Sequence, residues 1–154
     1  MSSSLLTKIQ NDLVEAQKNR DELRVSTLRY LLSAVKNREI ELRPLEKVLT
    51  DDEVIGVISK QVKQRKESIV EFEKGRRKDL VDKEAGEMDI LKTYLPEEVS
   101  GEELSKMVDE AIKATSASEV SDMGKVMGYL MPKLKGRVDG SALGSVVRGR
   151  LQGL

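Results

Sequence analysis

The sequence predicts an all-α protein, and three observations carry that expectation. Only 3% of the residues are aromatic while 35% are charged, a balance that disfavours sheets. Apolar residues return every three or four positions over most of the chain, and no stretch alternates with the period of two expected of a half-buried strand. Polar caps precede these stripes, and prolines or glycines follow them. Four helices are expected before Leu95-Pro96 and three after it, giving domains over residues 1–95 and 96–154.

The elements follow in order. Leu6, Ile9, Leu13 and Ala16 mark one face of a helix over Ser4 to Lys18, capped by Ser3 or Ser4. Val25, Leu28, Leu32 and Val35, widened by Leu31, mark a second over Asp21 to Leu42, which Pro44 ends. Thr50-Asp-Asp-Glu53 reads as a capping box, in which each polar side chain satisfies an unpaired amide. The third stripe then runs through Val54, Ile58, Val62, Arg65, Ile69 and Phe72, where Arg65 breaks the apolar character but not the period, and Gly75 stops it. Val81, Ala85, Met88 and Leu91 carry a fourth helix from Lys78 to Tyr94.

Beyond Pro96, Ser100-Gly-Glu-Glu103 is a second capping box, opening a helix that carries Leu104, Val108, Ala111 and Ile112. Thr115 to Ser118 is a small-residue loop. A sixth helix starts at Ser121 or Asp122 and carries Met123, Met127, Leu130 and Leu134. Pro132 lies inside it and is expected to kink it or stop it near Leu130. A seventh follows Gly140, capped by Ser141, with Leu143, Val147 and Leu151.

The residue inventory excludes several chemistries. The 154 residues include no Cys and no His, so there is no disulfide, no thiolate and no imidazole base. Serines fall where caps and loops are expected, which favours capping over a Ser–Lys catalytic pair. Asp51-Asp-Glu53 and Glu97-Glu98 sit at helix starts, where the helix dipole favours acids, and their spacing asks for no metal. No catalytic residue, metal or other cofactor is therefore expected. No leader is visible in Met1 to Leu6 and no run of about 18 apolar residues occurs, so no membrane partner and a cytoplasmic location are the expectations.

Charge is patterned although the total is balanced, with 27 bases and 27 acids. Residues 97–122 hold eight acids and two bases; residues 123–154 hold six bases and one acid. A second basic stretch, Lys60 to Lys78, has eight bases and three acids on an amphipathic helix, and reads as a solvated face. Lys133, Lys135 and Arg137 surround a turn at Gly136, with Lys125 before it and Arg148 and Arg150 after it. Cations around a turn suit phosphate backbones; a solvated basic loop is the competing reading, and composition does not choose between them. With only Tyr129 nearby for stacking, any contact would read shape and backbone rather than bases. Gly124 and Gly128, four apart without a preceding strand, match no phosphate-binding fingerprint and are expected to let a neighbour pack closely. Met123, Met127 and Met131 offer a different function, docking onto a partner protein with no RNA role; core packing is the commoner use of such a stripe.

Four stretches together resemble the GatB/YqeY family, most closely its stand-alone YqeY-like members. They are Leu28-Arg-Tyr-Leu-Leu-Ser-Ala-Val-Lys-Asn-Arg-Glu-Ile-Glu41, Val62-Lys-Gln-Arg-Lys-Glu-Ser-Ile69, Glu87-Met-Asp-Ile-Leu-Lys-Thr-Tyr-Leu-Pro96 and the run from Asp122 to Arg137 containing Gly-Lys-Val-Met-Gly. The resemblance covers nearly the whole chain, and departs only at Val138-Asp139, where relatives often carry small residues. It implies an irregular four-helix N-terminal domain and a small three-helix C-terminal domain, like the tail of the B subunit of glutamine-dependent aminoacyl-tRNA amidotransferase. In that enzyme the tail holds tRNA while amide transfer occurs elsewhere, so a carbon–nitrogen ligase label belongs to the whole enzyme. The implied partners are tRNA and an amidotransferase or another translation protein, with no DNA. The shared motif falls on Gly124, Gly128, Gly136 and Arg137, with Pro96 at the domain junction.

Overall fold

The computed structural model describes residues 3–154. Met1 and Ser2, part of the stretch read for a leader, lie outside the described residues. The described residues form seven α-helices and no strand: α1 (Ser4–Lys18), α2 (Glu22–Leu42), α3 (Asp51–Lys74), α4 (Lys78–Lys92), α5 (Gly101–Thr115), α6 (Met123–Leu134) and α7 (Gly140–Gln152). Short 3₁₀ turns at Arg43–Leu45 and Val120–Asp122 lead out of α2 and into α6. The chain divides into two compact units, Met1–Leu95 and Pro96–Leu154.

In the first unit, Ile9, Leu28, Leu31, Val35, Val54, Ile58 and Leu91 form a fully buried core between α1, α2, α3 and α4. Thr50 caps α3 by accepting from the Glu53 amide at 3.3 Å. The Asp51 carboxylate, at the start of α3, reaches back to the start of α1. It accepts from the Ser4 hydroxyl at 2.9 Å, the Leu5 amide at 3.1 Å and the Ser3 hydroxyl. The Ser3 bond, then the Leu5 amide, hold its carboxyl below the usual carboxylate range. Arg65 is not a surface residue on an apolar stripe. Its side chain is 10% exposed and pairs at 3.1 Å with Glu87 of α4, 11% exposed. Such a pair survives burial because each charge neutralises the other. The Tyr94 hydroxyl donates to Asp12 at 2.6 Å; burial, then that bond, push its pKa up to about 12.

In the second unit, Leu104, Val108 and Ala111 of α5 pack with Val126, Leu130 and Leu134 of α6 and Leu143, Val147 and Leu151 of α7. The Ser100 hydroxyl accepts from the Glu103 amide at 3.1 Å. A further capping box, which the spacing of residues does not announce, closes the turn before α6, between Glu119 and Asp122. Backbone amides of Ser118 and Glu119 hold the Asp122 carboxyl below its usual range.

Gly75 does stop α3, as the cap after Lys74; its φ is −79°, and the left-handed residue is Arg76 at 55°. Three local expectations are corrected. Pro132 neither stops α6 nor ends it near Leu130, since the helix continues to Leu134. The carbonyl that Pro132 leaves without a donor belongs to Gly128, an exposed residue, so water can take it. Helix α7 is capped by Asp139, which accepts from the Ser141 amide at 3.2 Å, not by Ser141 itself. The fourth helix ends at Lys92 rather than Tyr94.

Candidate nucleic-acid interface

The basic turn is built by the end of α6. The Arg137 amide donates to the Leu134 carbonyl at 2.8 Å, and with Lys135 at a ψ of 121° this is a type II turn, which needs a left-handed residue at position 136. Gly136 supplies it with a φ of 77°, a conformation that a Cβ would strain. The turn presents Lys133 and Lys135 as exposed residues, while Arg137 is half-buried.

The six candidate cations divide into two groups. Three are engaged with acids. Arg137 donates from Nε to the Glu97 carbonyl at 3.1 Å and pairs with Glu103 at 3.3 Å. Its own carbonyl accepts from the Val99 amide at 3.0 Å, so it fastens the turn to the segment leading into α5. Arg150 pairs with Asp109 at 2.8 Å and also bonds the Ser105 hydroxyl. Lys125 pairs with Asp122 at 3.5 Å. The other three are unspent as charges. The Lys133 ammonium lies 4.0 Å from the centroid of the Tyr129 ring, one helical turn back. Among the described residues, no side-chain hydrogen bond or ion pair engages Lys135 or Arg148, both exposed.

The acidic segment 97–122 and the basic segment 123–154 thus belong to one unit, whose nine acids and eight bases leave a net charge of −1. Lys133, Lys135 and Arg148 are the candidate cations in it that no carboxylate neutralises. The signal for this was present in the charge pattern, in the acids of α5. Sequence spacing alone could not pair Arg150 with Asp109, 41 residues away.

Gly124 and Gly128 also differ from expectation. A Cβ added at either meets nothing within 4 Å, so they do not admit a closely packed neighbour. They leave bare backbone on the exposed side of α6. Of the three methionines considered for partner docking, Met123 and Met127 are half-buried against the core, and Met131 is 42% exposed. Pro96 is exposed and opens the second unit. The charges of the Lys60 to Lys78 stretch mostly face solvent, as its pattern predicts, and Arg65 is the buried one. Among the described residues, no cluster of acids is arranged to hold a metal, and no helix is long and apolar enough to cross a membrane.

Comparison with known proteins adds a lineage to this geometry. A family model described as "Yqey-like protein" matches residues 6–151. The Saccharomyces cerevisiae protein named "Altered inheritance of mitochondria protein 41, mitochondrial" is 34% identical over 133 residues, covering 83% of this chain and 71% of the relative. The protein of the same name from Pyrenophora tritici-repentis is 31% identical over 135 residues, covering 86% and 72%. That from Kluyveromyces lactis is 39% identical over 119 residues, covering 75% and 63%. These names overturn the expectation of a cytoplasmic location, since all three relatives are mitochondrial by name. That expectation rested on the absence of a leader and of an apolar span, and an absence carries no address.

Proposed function

The chain belongs to the YqeY-like protein family, and from that premise we propose that it is an RNA-holding helical module, with tRNA as its ligand. The observation that carries this reading is the set of unpaired cations at the Gly136 turn and on α7. Lys133, Lys135 and Arg148 are exposed, and no carboxylate neutralises them. Phosphate oxygens reward such cations because binding releases condensed counterions. Arg137 and Arg150 act as positioning residues that fix the turn and α7 on α5. In this reading the protein is accessory to glutamine-dependent amidation of misacylated tRNA, and the amide-transfer chemistry belongs to a partner enzyme. The names of the relatives point to mitochondria as the place of action.

Fluorescence anisotropy with labelled total tRNA, titrated at several salt concentrations, tests the proposal. Binding is expected at low salt, weakening as salt rises. The double variant Lys135→Ala/Arg148→Ala should lower the slope of log affinity against log salt by about 1 for each phosphate that is no longer neutralised. No binding at low salt, or an unchanged slope, would overturn it. Docking of a partner protein without RNA keeps only the support of Met131, as its two companions are half-buried.

A further inference from the structure

The first unit contains a cleft that the basic turn does not use. Helices α2 and α3 run antiparallel, since Arg38 near the end of α2 pairs at 2.9 Å with Glu53 near the start of α3, while Tyr30 lies beside Arg65 farther along. Between them is a groove of about 470 Å³, within the range of roughly 300–1,000 Å³ common to small-molecule sites. Ala34 on one helix and Gly56 on the other have too little side chain to fill its waist.

The two ends of the groove differ chemically. At one end Arg38 holds both Glu41, at 3.0 Å, and Glu53, so this end is polar but occupied by its own charges. At the other, the Tyr30 ring is 58% exposed. Gln61 lines the groove beside it, only 3% exposed, and its amide oxygen is buried with no hydrogen-bond partner. A donor on a ligand in the groove would satisfy it. Gln64 and Lys60 complete this end. The Tyr30 ring also borders a neighbouring hollow on α2 that carries Arg20 and Arg29. Among the described residues, no ion pair or hydrogen bond engages the side chain of Lys60, Arg20 or Arg29.

We propose that the Tyr30 end of the α2/α3 groove takes one unstacked RNA base, a contact that rests on the RNA-holding function and adds a second site to it. The base stacks on Tyr30, its edge meets the amides of Gln61 and Gln64, and its phosphates lie towards Lys60 and Arg29. Single-stranded RNA is recognised by this combination of aromatic platform, amide groups and unpaired cations. A peptide could use the same amides, but it has no need of the surrounding cations.

The test uses the full chain and two labelled probes, total tRNA and single-stranded oligouridine. Ala34→Leu fills the groove without altering charge; Tyr30→Ala removes the platform and Tyr30→Phe restores it. Circular dichroism melts confirm that each variant is folded. Ala34→Leu and Tyr30→Ala are expected to weaken oligouridine binding on the order of ten-fold, with Tyr30→Phe close to the parent. If the parent binds tRNA yet folded Ala34→Leu binds both probes equally well, the groove assignment is overturned and the basic turn stands. If the parent binds neither probe at low salt, both readings fall.

Discussion

The two units treat charge in opposite ways. The first buries an ion pair, Arg65 with Glu87, and every buried polar side chain among the described residues lies in it: Ser3, Thr27, Gln61, Arg65 and Glu87. The second has an all-apolar core and sets its opposite charges against each other at the surface, through Arg137 with Glu103 and Arg150 with Asp109. Summed over sequence, the second unit's final 32 residues, with six bases against one acid, and the first unit's Lys60 to Lys78 stretch, with eight against three, carry the same excess of five bases. Yet the first unit keeps Arg20, Arg29 and Lys60 unpaired around an exposed aromatic ring. Availability of charge, rather than its count, decides what a phosphate meets.

The sharpest way to break this comparison is to remove one member of each kind of pair. Glu87→Ala leaves the Arg65 guanidinium buried without a counter-charge, and should cost about 3–5 kcal/mol in a urea titration. A cost below about 1 kcal/mol would mean that the pair is a surface pair in practice. At alkaline pH the first unit should weaken through Tyr94. Its folded pKa of about 12 lies above the ordinary value of 10, so the native state holds the proton more tightly. The resulting stability is fully present below pH 10 and is lost as pH rises through about 12. Thermal melts across that window should flatten in Tyr94→Phe.

Smaller effects belong to the second unit. Gly136→Ala places a Cβ at a left-handed φ and should cost about 1 kcal/mol, read as a lowered melting temperature. Asp109→Asn, at an exposed pair, should change stability by less than about 1 kcal/mol. It should nevertheless strengthen tRNA binding several-fold at low salt, because Arg150 is released, with the gain vanishing at high salt. If the gain is absent, neutralisation by α5 is not what limits this surface.

Local rules made much of this molecule legible. Thr50 and Ser100 cap the helices their spacing predicts, and Val54, Ile58 and Val62 are buried on one stripe. Those rules act within one helical turn. Glu87 as the answer to Arg65 lies on another helix, and the Ser105 and Asp109 partners of Arg150 lie 45 and 41 residues away, so no periodicity announces them. Glu103 shows the same limit. It reads as the second half of a capping box, but its carboxylate goes to Arg137. Gly124 and Gly128 suggest close packing by spacing, and only the tertiary structure shows open space beside them. Pro132 reads as a kink or as a stop near Leu130, and of these the stop does not occur, since its place in the last turn of α6 lets the helix run past it.

The Asp51 carboxylate ties two helix starts with one group, across sequence separations of 46 to 48 residues. Hydrogen exchange would see this directly. The Leu5 amide, bonded to Asp51, can be protected only while α3 is in place, so its exchange should follow the opening of α3 rather than simple end-fraying of α1. The first turn of the chain and its longest helix then form a single cooperative opening unit, although α2 separates them in sequence.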